Sequence, residues 1–487
     1  MPTAPRDPHR PVAHLRPPGN WINDPNGLVF HDGHYHVSYQ YNPHGADHAN
    51  MHWGHFRSPD LLSWEPLPIA LSPTPGGVDA DGCFSGNAVS DGDRMVAFYS
   101  AHRQERPQHQ PVTCATSHDG GRTFRPRGEL LVPEPPEGCT MFRDPYVWRH
   151  GDGWRMLVGA AFADGRGAAL LYHSPDLETW TYQGPFDARE PEPVGSTGLH
   201  TGEGWECPQY LPAAHGPGAL ILSAWNDDDS PRCVAALLGA ENGDVFEAGP
   251  PVLVDHGPDC YAPALLRAPG DRWLLWGWSG EARDEAWAVA DGWAGLLTLP
   301  REISVDGGGS LRQQPASELL TLRGERTVHA AGRTHTDPVG LGNVGRSFDL
   351  TARLEPTSNA GLRLLTTPDG SEYLDIRIDA DAGELVVDRD HASLDPRARG
   401  GSYRMPCPLD GPLDLRVIVD HSIAEVFLTT TGQVLTLRFY PTGEGPWRLE
   451  ARGGPDAHFG YEVDAWRLHP LVIKESASGA APSDPLP

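Results

Sequence analysis

Apolar and polar residues alternate in two different rhythms along this 487-residue chain. Over the first 300 or so residues, a small or polar motif is followed by an apolar run, a glycine-containing turn and a second apolar run. The stretches "NDPNGLVFHDGHYHVSYQ", "FSGNAVSDGDRMVAFYS", "FRDPYVWRHGDGWRMLVGA", "ECPQYLPAAHGPGALILSAW" and "YAPALLRAPGDRWLLWGWS" all share that layout. The turn glycines are expected at Gly33, Gly92, Gly153, Gly218 and Gly270, in steps of 59, 61, 65 and 52 residues. Paired apolar runs about such turns predict antiparallel hairpins. A second series keeps step with the first: "SPDLLSW" (58–64), "SHDGGRTF" (117–124) and "SPDLETW" (174–180), their serines 59 and 57 residues apart. Five units of this length, each a small sheet, predict a five-bladed β-propeller. A β-sandwich with irregular insertions is the competing arrangement.

From about residue 326 the rhythm changes. "EYLDIRID", "GELVVD", "LDLRVIVD", "AEVFLTT" and "QVLTLRFYP" alternate apolar with polar residues, as half-buried strands do. Several such strands predict a β-sandwich. The whole chain is therefore expected to be all-β: a five-bladed β-propeller over 1–318, a linker over 319–330 and a C-terminal β-sandwich over 331–473. Residues 474–487, rich in Pro, Ser and Ala, are expected to form a disordered tail.

Composition narrows the function classes. A hydrophobic content of 39% with 56 Gly and 49 Pro suits a folded, loop-rich β protein. The net charge of −27 argues against nucleic acid or an anionic membrane as partner. No apolar run approaches the roughly 18–20 residues that span a bilayer, and the opening residues lack a signal-type apolar stretch. Seven scattered cysteines without a CxxC read as free thiols in a reducing cytoplasm.

The chemistry is expected on the propeller axis, where equivalent positions of successive blades converge. The units begin with Asp24, Phe84-Ser85, Arg143-Asp144, Glu206 and Asp259-Tyr261. Asp24, Asp144 and Glu206 lie 120 and 62 residues apart, close to two units and one unit. Three carboxylates in one funnel, with an arginine, suit glycoside cleavage: one attacks the anomeric carbon and a second protonates the leaving oxygen. The third holds sugar hydroxyls. A carboxylate metal site would instead gather its ligands in one loop; "NDDDS" (226–230) is the candidate there, with a solvated turn as the plainer reading. Seven histidines between His31 and His55 are spread over a hairpin and a loop, without acids or cysteines at ligand spacing. Among the tryptophans, Trp276 and Trp278 are expected in the core, whereas Trp287 and Trp293, in loop-like sequence, are candidates for stacking on a sugar.

These residues also carry a family likeness. "HLRPPGNWINDPNG" (14–27) resembles the signature of glycoside hydrolase family 32, the β-fructofuranosidases, with His14, Pro17, Ile22 and NDPNG at the family's spacing. The likeness continues through "YQYNP" (39–43), "WGH" (53–55), "DGCFSG" (81–86), "FRDP" (142–145), "WECP" (205–208), "DHGPDCYAP" (255–263), "WAGLLTLPRE" (293–302) and "VDHSIAEVF" (419–427). The resemblance implies the same propeller and sandwich. It implies Asp24 as nucleophile, Glu206 as acid/base and Asp144 as transition-state stabiliser beside Arg143. Asn23, Gln40, Phe84 and Ser85 would complete the fructose subsite, with His48, Trp53, Asp259 and Tyr261 also binding substrate. The implied reaction is retaining, through a covalent fructosyl-enzyme, with nucleophile and acid/base about 5–5.5 Å apart. No cofactor or metal is expected. The substrate is a small carbohydrate, sucrose or a short fructo-oligosaccharide.

Some positions depart from the family pattern. Gln209 and Tyr210 follow the "WECP" proline where Asp and Leu or Phe are common, which is expected to alter the surroundings of Glu206. Cys260 replaces a common Phe and is expected to loosen the pocket rim. His48 stands where fructan-attacking relatives often carry Trp, which points toward sucrose or sucrose-phosphate hydrolases. The alternatives are a fructosyltransferase, a sucrose-6-phosphate hydrolase and a non-catalytic carbohydrate-binding protein; loss of one of the three acids would have favoured the last. The sandwich is expected to serve structure or homo-oligomer contacts.

Overall fold

The computed structural model describes residues 7–474 apart from 214–215, 227–231, 336, 356, 358 and 455–458. The expected tail from 475 onward and all of "NDDDS" except Asn226 lie outside the described residues. Five sheets, each built on four antiparallel strands, follow one another. Their innermost strands are Asn20–His31, Gly82–Asp91, Cys139–His150, Gly204–Leu211 and Tyr261–Ala268, and each neighbours the next in a closed ring. The chain is a five-bladed propeller, as its period predicts. Blades pack face to face through apolar side chains; Tyr146, Leu157, Phe186, Trp205 and Leu220 fill the space around blades three and four.

Both repeated patterns have physical causes. In the serine series, Asp60, Asp119 and Asp176 bond the hydroxyls of Ser58, Ser117 and Ser174 and accept backbone N–H groups of the turn that follows. Asp60 takes those of Leu62 and Ser63 at 2.9 and 2.7 Å, and Asp176 those of Glu178 and Thr179 at 2.9 and 2.8 Å. Each aspartate replaces the hydrogen bonds that a bending backbone loses. In the glycine series, Gly33, Gly92 and Gly270 adopt φ of 73°, 63° and 77° in their turns. Gly153 and Gly218 differ from expectation: they begin the returning strands, and the left-handed turn residues are Gly151 and Gly216.

The second half is a sandwich of two six-stranded antiparallel sheets. Its core includes Phe348, Leu350, Leu362, Ile376, Val417, Leu437 and Phe459, all 0% exposed. The stretch expected as a linker is structured. A 3-10 turn over Ser317–Leu322 runs straight into the strand Arg323–Thr334, which pairs with Phe459–Leu468 at the sheet edge. At the other end, Val472–Ile473 leaves the sandwich and pairs in parallel with the outer strand of blade one at Ser63 and Trp64, covering an open edge.

The two halves share a polar, buried boundary. His14 sits between Asp420 and Glu425 at 2.9 and 3.2 Å, and Arg301 of blade five joins Glu425 to Asp255. Arg438 of the sandwich donates to the Ser422 and Ser279 carbonyls and reaches Glu281. Trp293 and Tyr440 flank the guanidinium of Arg283.

Candidate active site

Each innermost strand carries a β-bulge near the same height, and the bulges hold the site. In blades one and two the register breaks at Asn23-Asp24 and Phe84-Ser85. In blades three to five it breaks at Asp144-Pro145, Cys207-Pro208 and Ala262-Pro263. Asp144, Cys207 and Ala262 take φ of 62°, 46° and 46°, a conformation that residues with a β-carbon rarely hold. A bulge adds a residue to one strand and so turns side chains out of the sheet's alternation, here toward the axis.

The shared register corrects the phase expected from sequence spacing. The equivalent of Asp144 in blade four is Cys207, not Glu206. Glu206 instead matches Arg143 and Tyr261, the residues just before each bulge. Those three neighbours bond side by side: Arg143 donates from Nη1 to Glu206 Oε1 at 3.0 Å, and the Tyr261 hydroxyl donates to Oε2 at 2.8 Å. Glu206 is thereby clamped from both flanking blades.

Asp24 accepts from the Ser85 hydroxyl at 2.6 Å and from Asn23 Nδ2 at 3.2 Å, while Asn23 accepts from Trp21 Nε1 at 2.8 Å. Asp144 accepts the Cys207 backbone N–H at 3.0 Å. The Cys207 thiol lies 3.6 Å from Asp24 Oδ2 and 3.5 Å from Asp144 Oδ2, so one sulfur stands between the two carboxylates. Burial pushes the Asp24 carboxyl up, and the charge of Glu206 adds to that; the bonds from Ser85 and Asn23 oppose it. Burial likewise raises Asp144 to about 7, against the pull of Arg143 and with the push of Glu206 and Asp24. Protons on this cluster are shared among interacting groups.

The remaining expected residues fall into three places. Phe84 borders the site and stacks on His102 with ring centroids 4.1 Å apart; His48 meets Phe84 and Trp21 edge-on. Gln40 and Trp53 are each 1% exposed and lie behind the bulge of blade two, donating to the Cys83 and Phe84 carbonyls at 3.0 and 3.1 Å. They shape the subsite from behind rather than facing it. Asp259 is turned to the sandwich, where Arg389 and the Arg438 backbone N–H hold it.

The hydrogen bonds of Gln209 go elsewhere than Glu206. Its Oε1 accepts the Leu265 N–H at 3.0 Å and so ties blade four to blade five. Asn87 plays the same part between blades two and three, bonding both backbone groups of Val147. Cys260 is buried, with its sulfur pressed against Gly277. Among the histidines, His36 and His55 bond each other at 3.1 Å, and burial lowers them to about 2 and about 4. Trp276 is buried in the core as expected, but the other three tryptophans differ. Trp287 and Trp293 belong to the domain boundary, whereas Trp278 reaches a cleft beside Trp21.

That cleft, of about 530 Å³, adjoins the carboxylates through Tyr261, which lines it and bonds Glu206. Trp21, His48, Tyr261 and Trp278 line it, together with Arg232 of blade four and Arg399 of the sandwich. Ser100 is a supporting residue that sequence gives no sign of: its hydroxyl accepts the Asp144 N–H at 2.8 Å and donates to the Ser85 carbonyl at 3.1 Å.

A propeller whose axis gathers three carboxylates beside an open, aromatic-lined cleft is the architecture of a glycoside hydrolase. Family comparison agrees. Residues 14–315 match the model of the glycosyl hydrolases family 32 N-terminal domain, and residues 311–466 match the family 32 C-terminal model. The chain belongs to glycosyl hydrolase family 32. It is 32% identical over 469 residues to the raffinose invertase of Escherichia coli, covering 89% of this chain and 90% of that one. To a sucrose-6-phosphate hydrolase of Escherichia coli it is 31% identical over 453 residues, covering 89% and 90%. The fold of fructan 1-exohydrolase IIa from Cichorium intybus superposes with a TM-score of 0.84 at 23% identity, covering 96% and 99% of the two chains.

Proposed function

We propose that this chain is a retaining β-fructofuranosidase that removes terminal fructosyl units from sucrose and short fructo-oligosaccharides. The observation that carries the reading is the division of labour on the axis. Asp24 is held by Ser85 and Asn23 at the bulge, and Glu206 is clamped by Arg143 and Tyr261 on the cleft side. An ionised Asp24 oxygen attacks the anomeric carbon as the bond to the leaving oxygen breaks, and Glu206 gives that oxygen its proton. Glu206 then takes a proton from water, the water oxygen bonds the same carbon, and the bond to Asp24 breaks. Asp144 holds fructosyl hydroxyls; raised to about 7 by burial, it is protonated in part at neutral pH and so able to donate as well as accept. Nothing in this sequence requires a metal or cofactor.

The test is fructose release from sucrose by Asp24→Asn. Full activity in that variant overturns the mechanism. Product analysis at high sucrose separates hydrolysis from transfer, since a transferase builds trisaccharides. A second reading has its own support: a phosphorylated leaving glucose. Relatives include both an invertase and sucrose-6-phosphate hydrolases, and Arg232 and Arg399 line the cleft without a carboxylate partner among the described residues. The location proposed is the cytoplasm: the seven cysteines are free, and no described helix is long and apolar enough to cross a membrane. Homo-oligomer formation through the sandwich is proposed as well, and light scattering in solution reads it.

A further inference from the structure

The sandwich does more than support the propeller, because one of its loops places a residue, Arg399, in the lining of the cleft. After the strand Glu384–Asp388, the chain crosses to blade five and is fastened there by its backbone. Arg399 donates its N–H to the Ala282 carbonyl at 2.7 Å, and Asp284 donates to the Arg397 carbonyl at 3.1 Å. The loop is also tied to itself. Arg389, 4% exposed, donates to the Gly400 carbonyl at 3.1 Å and to the Arg438 carbonyl at 2.7 Å, and Gly401 N–H reaches Asp390 at 2.6 Å. Arg397 lies over the Trp287 ring at 4.6 Å. A pinned loop presents its side chain without paying for ordering on binding.

The side chain so presented is the exposed guanidinium of Arg399, which lines the cleft. The other charges there are largely spoken for. Asp259 is held by Arg389, and Glu281 pairs with Arg283 and Arg438. Arg232 has its guanidinium 5.5 Å from the centre of the Tyr261 ring, and Tyr261 in turn bonds Glu206. Glu285, at the start of the short helix Glu285–Asp291, is the one other lining carboxylate. Tyr261, the partner of Glu206, lines the same cleft as these two arginines.

We propose that Arg399, with Arg232, forms a subsite for a phosphoryl group on the leaving sugar, so that leaving-group selectivity is set partly from the sandwich domain. This rests on the fructosidase reading given above and deepens its phosphorylated form. Guanidinium groups suit phosphate because their planar N–H donors bond two oxygens at once.

The experiment compares kcat/KM for sucrose 6-phosphate and sucrose in the wild type, Arg399→Ala, Arg399→Lys and Arg232→Ala, with glucose 6-phosphate and glucose as product inhibitors. The expected result is a wild-type preference for the phosphorylated substrate and a ratio that falls roughly tenfold or more in Arg399→Ala, the scale of a lost charge-assisted hydrogen bond. Arg399→Lys recovers part of the ratio, and glucose 6-phosphate inhibits Arg399→Ala less than wild type. Thermal melting of the variants should match wild type, since Arg399 is exposed. A wild-type preference that survives in both alanine variants overturns the subsite while leaving the phosphorylated reading standing. A wild type with no such preference overturns both, and a wild type inert on both sugars overturns the fructosidase reading with them.

Discussion

Asp144 on the propeller axis and Asp420 at the propeller–sandwich boundary are 5% and 0% exposed, yet their carboxyls shift in opposite directions. Burial alone pushes both up. Asp420 is nonetheless held well below the usual range, because it accepts from His14, from the Val12 and Ala13 backbone and from Ser347. Glu425 and Glu281 behave like Asp420: burial opposes their ionisation, but Arg301 and His14 outweigh it for one, and Arg438 and Arg283 for the other. On the axis, Asp24 and Asp144 have fewer donors; the Glu206 charge acts on both and that of Asp24 on Asp144 as well, which the pull of Arg143 on Asp144 does not outweigh. The boundary satisfies its charges and holds the domains together. The axis leaves charge uncompensated, where an incipient sugar cation would supply the missing partner.

The largest effect should come from removing the nucleophile. Asp24→Asn is expected to lower kcat/KM on sucrose by roughly ten-thousand-fold, the scale seen when a covalent nucleophile is removed, without lowering the melting temperature. The converse variant is Arg301→Met at the boundary. It leaves Glu425 and Asp255 buried without their cation, at a cost of about 3–5 kcal/mol, read as a lower denaturation midpoint with activity per folded molecule retained. Equal effects of the two variants on stability would erase the distinction between the regions.

Asp144→Asn comes next, with an expected activity loss of about a hundredfold, the scale of a lost transition-state hydrogen bond. Its stability effect should depend on pH. The folded value of about 7 lies above the unfolded value of about 3.9, so ionising Asp144 costs stability progressively as pH rises between the two. Asparagine removes that cost, and the melting-temperature difference from wild type should be more favourable at pH 8 than at pH 4. A pH-independent difference contradicts the assignment. Smallest is Ser85→Ala. The Ser85 bond holds Asp24 down, so its loss should move the acidic limb of the kcat/KM profile to higher pH. A limb that stays in place removes Ser85 from the account.

The fold was legible where a repeat had a local cause. The Ser–x–Asp turns and the glycine turns recur because each blade must bend at the same places. Asp24, Asp144 and Glu206 were legible as a set because blade spacing brings each to the bulge of its innermost strand or to the residue before it. The one-residue offsets of Glu206 and Asp24 from Asp144 were not, since a bulge changes register without changing the spacing of residue types. Gln40 and Trp53 sit beside subsite residues in sequence terms but face the other side of the blade. Ser100, Arg399 and the Arg301 network depend on contacts between segments far apart in the chain, for which a single sequence carries no periodic signal.

The central claim is that Asp24, left ionisable amid uncompensated charge, bonds the fructosyl group directly. Rapid acid quenching of the enzyme during turnover of sucrose, followed by digestion and peptide mass analysis, tests it most directly. The account predicts the added mass of one fructosyl unit on the peptide that contains Asp24, and none in Asp24→Asn. A fructosyl adduct carried by Asp144 or Glu206 instead would contradict it.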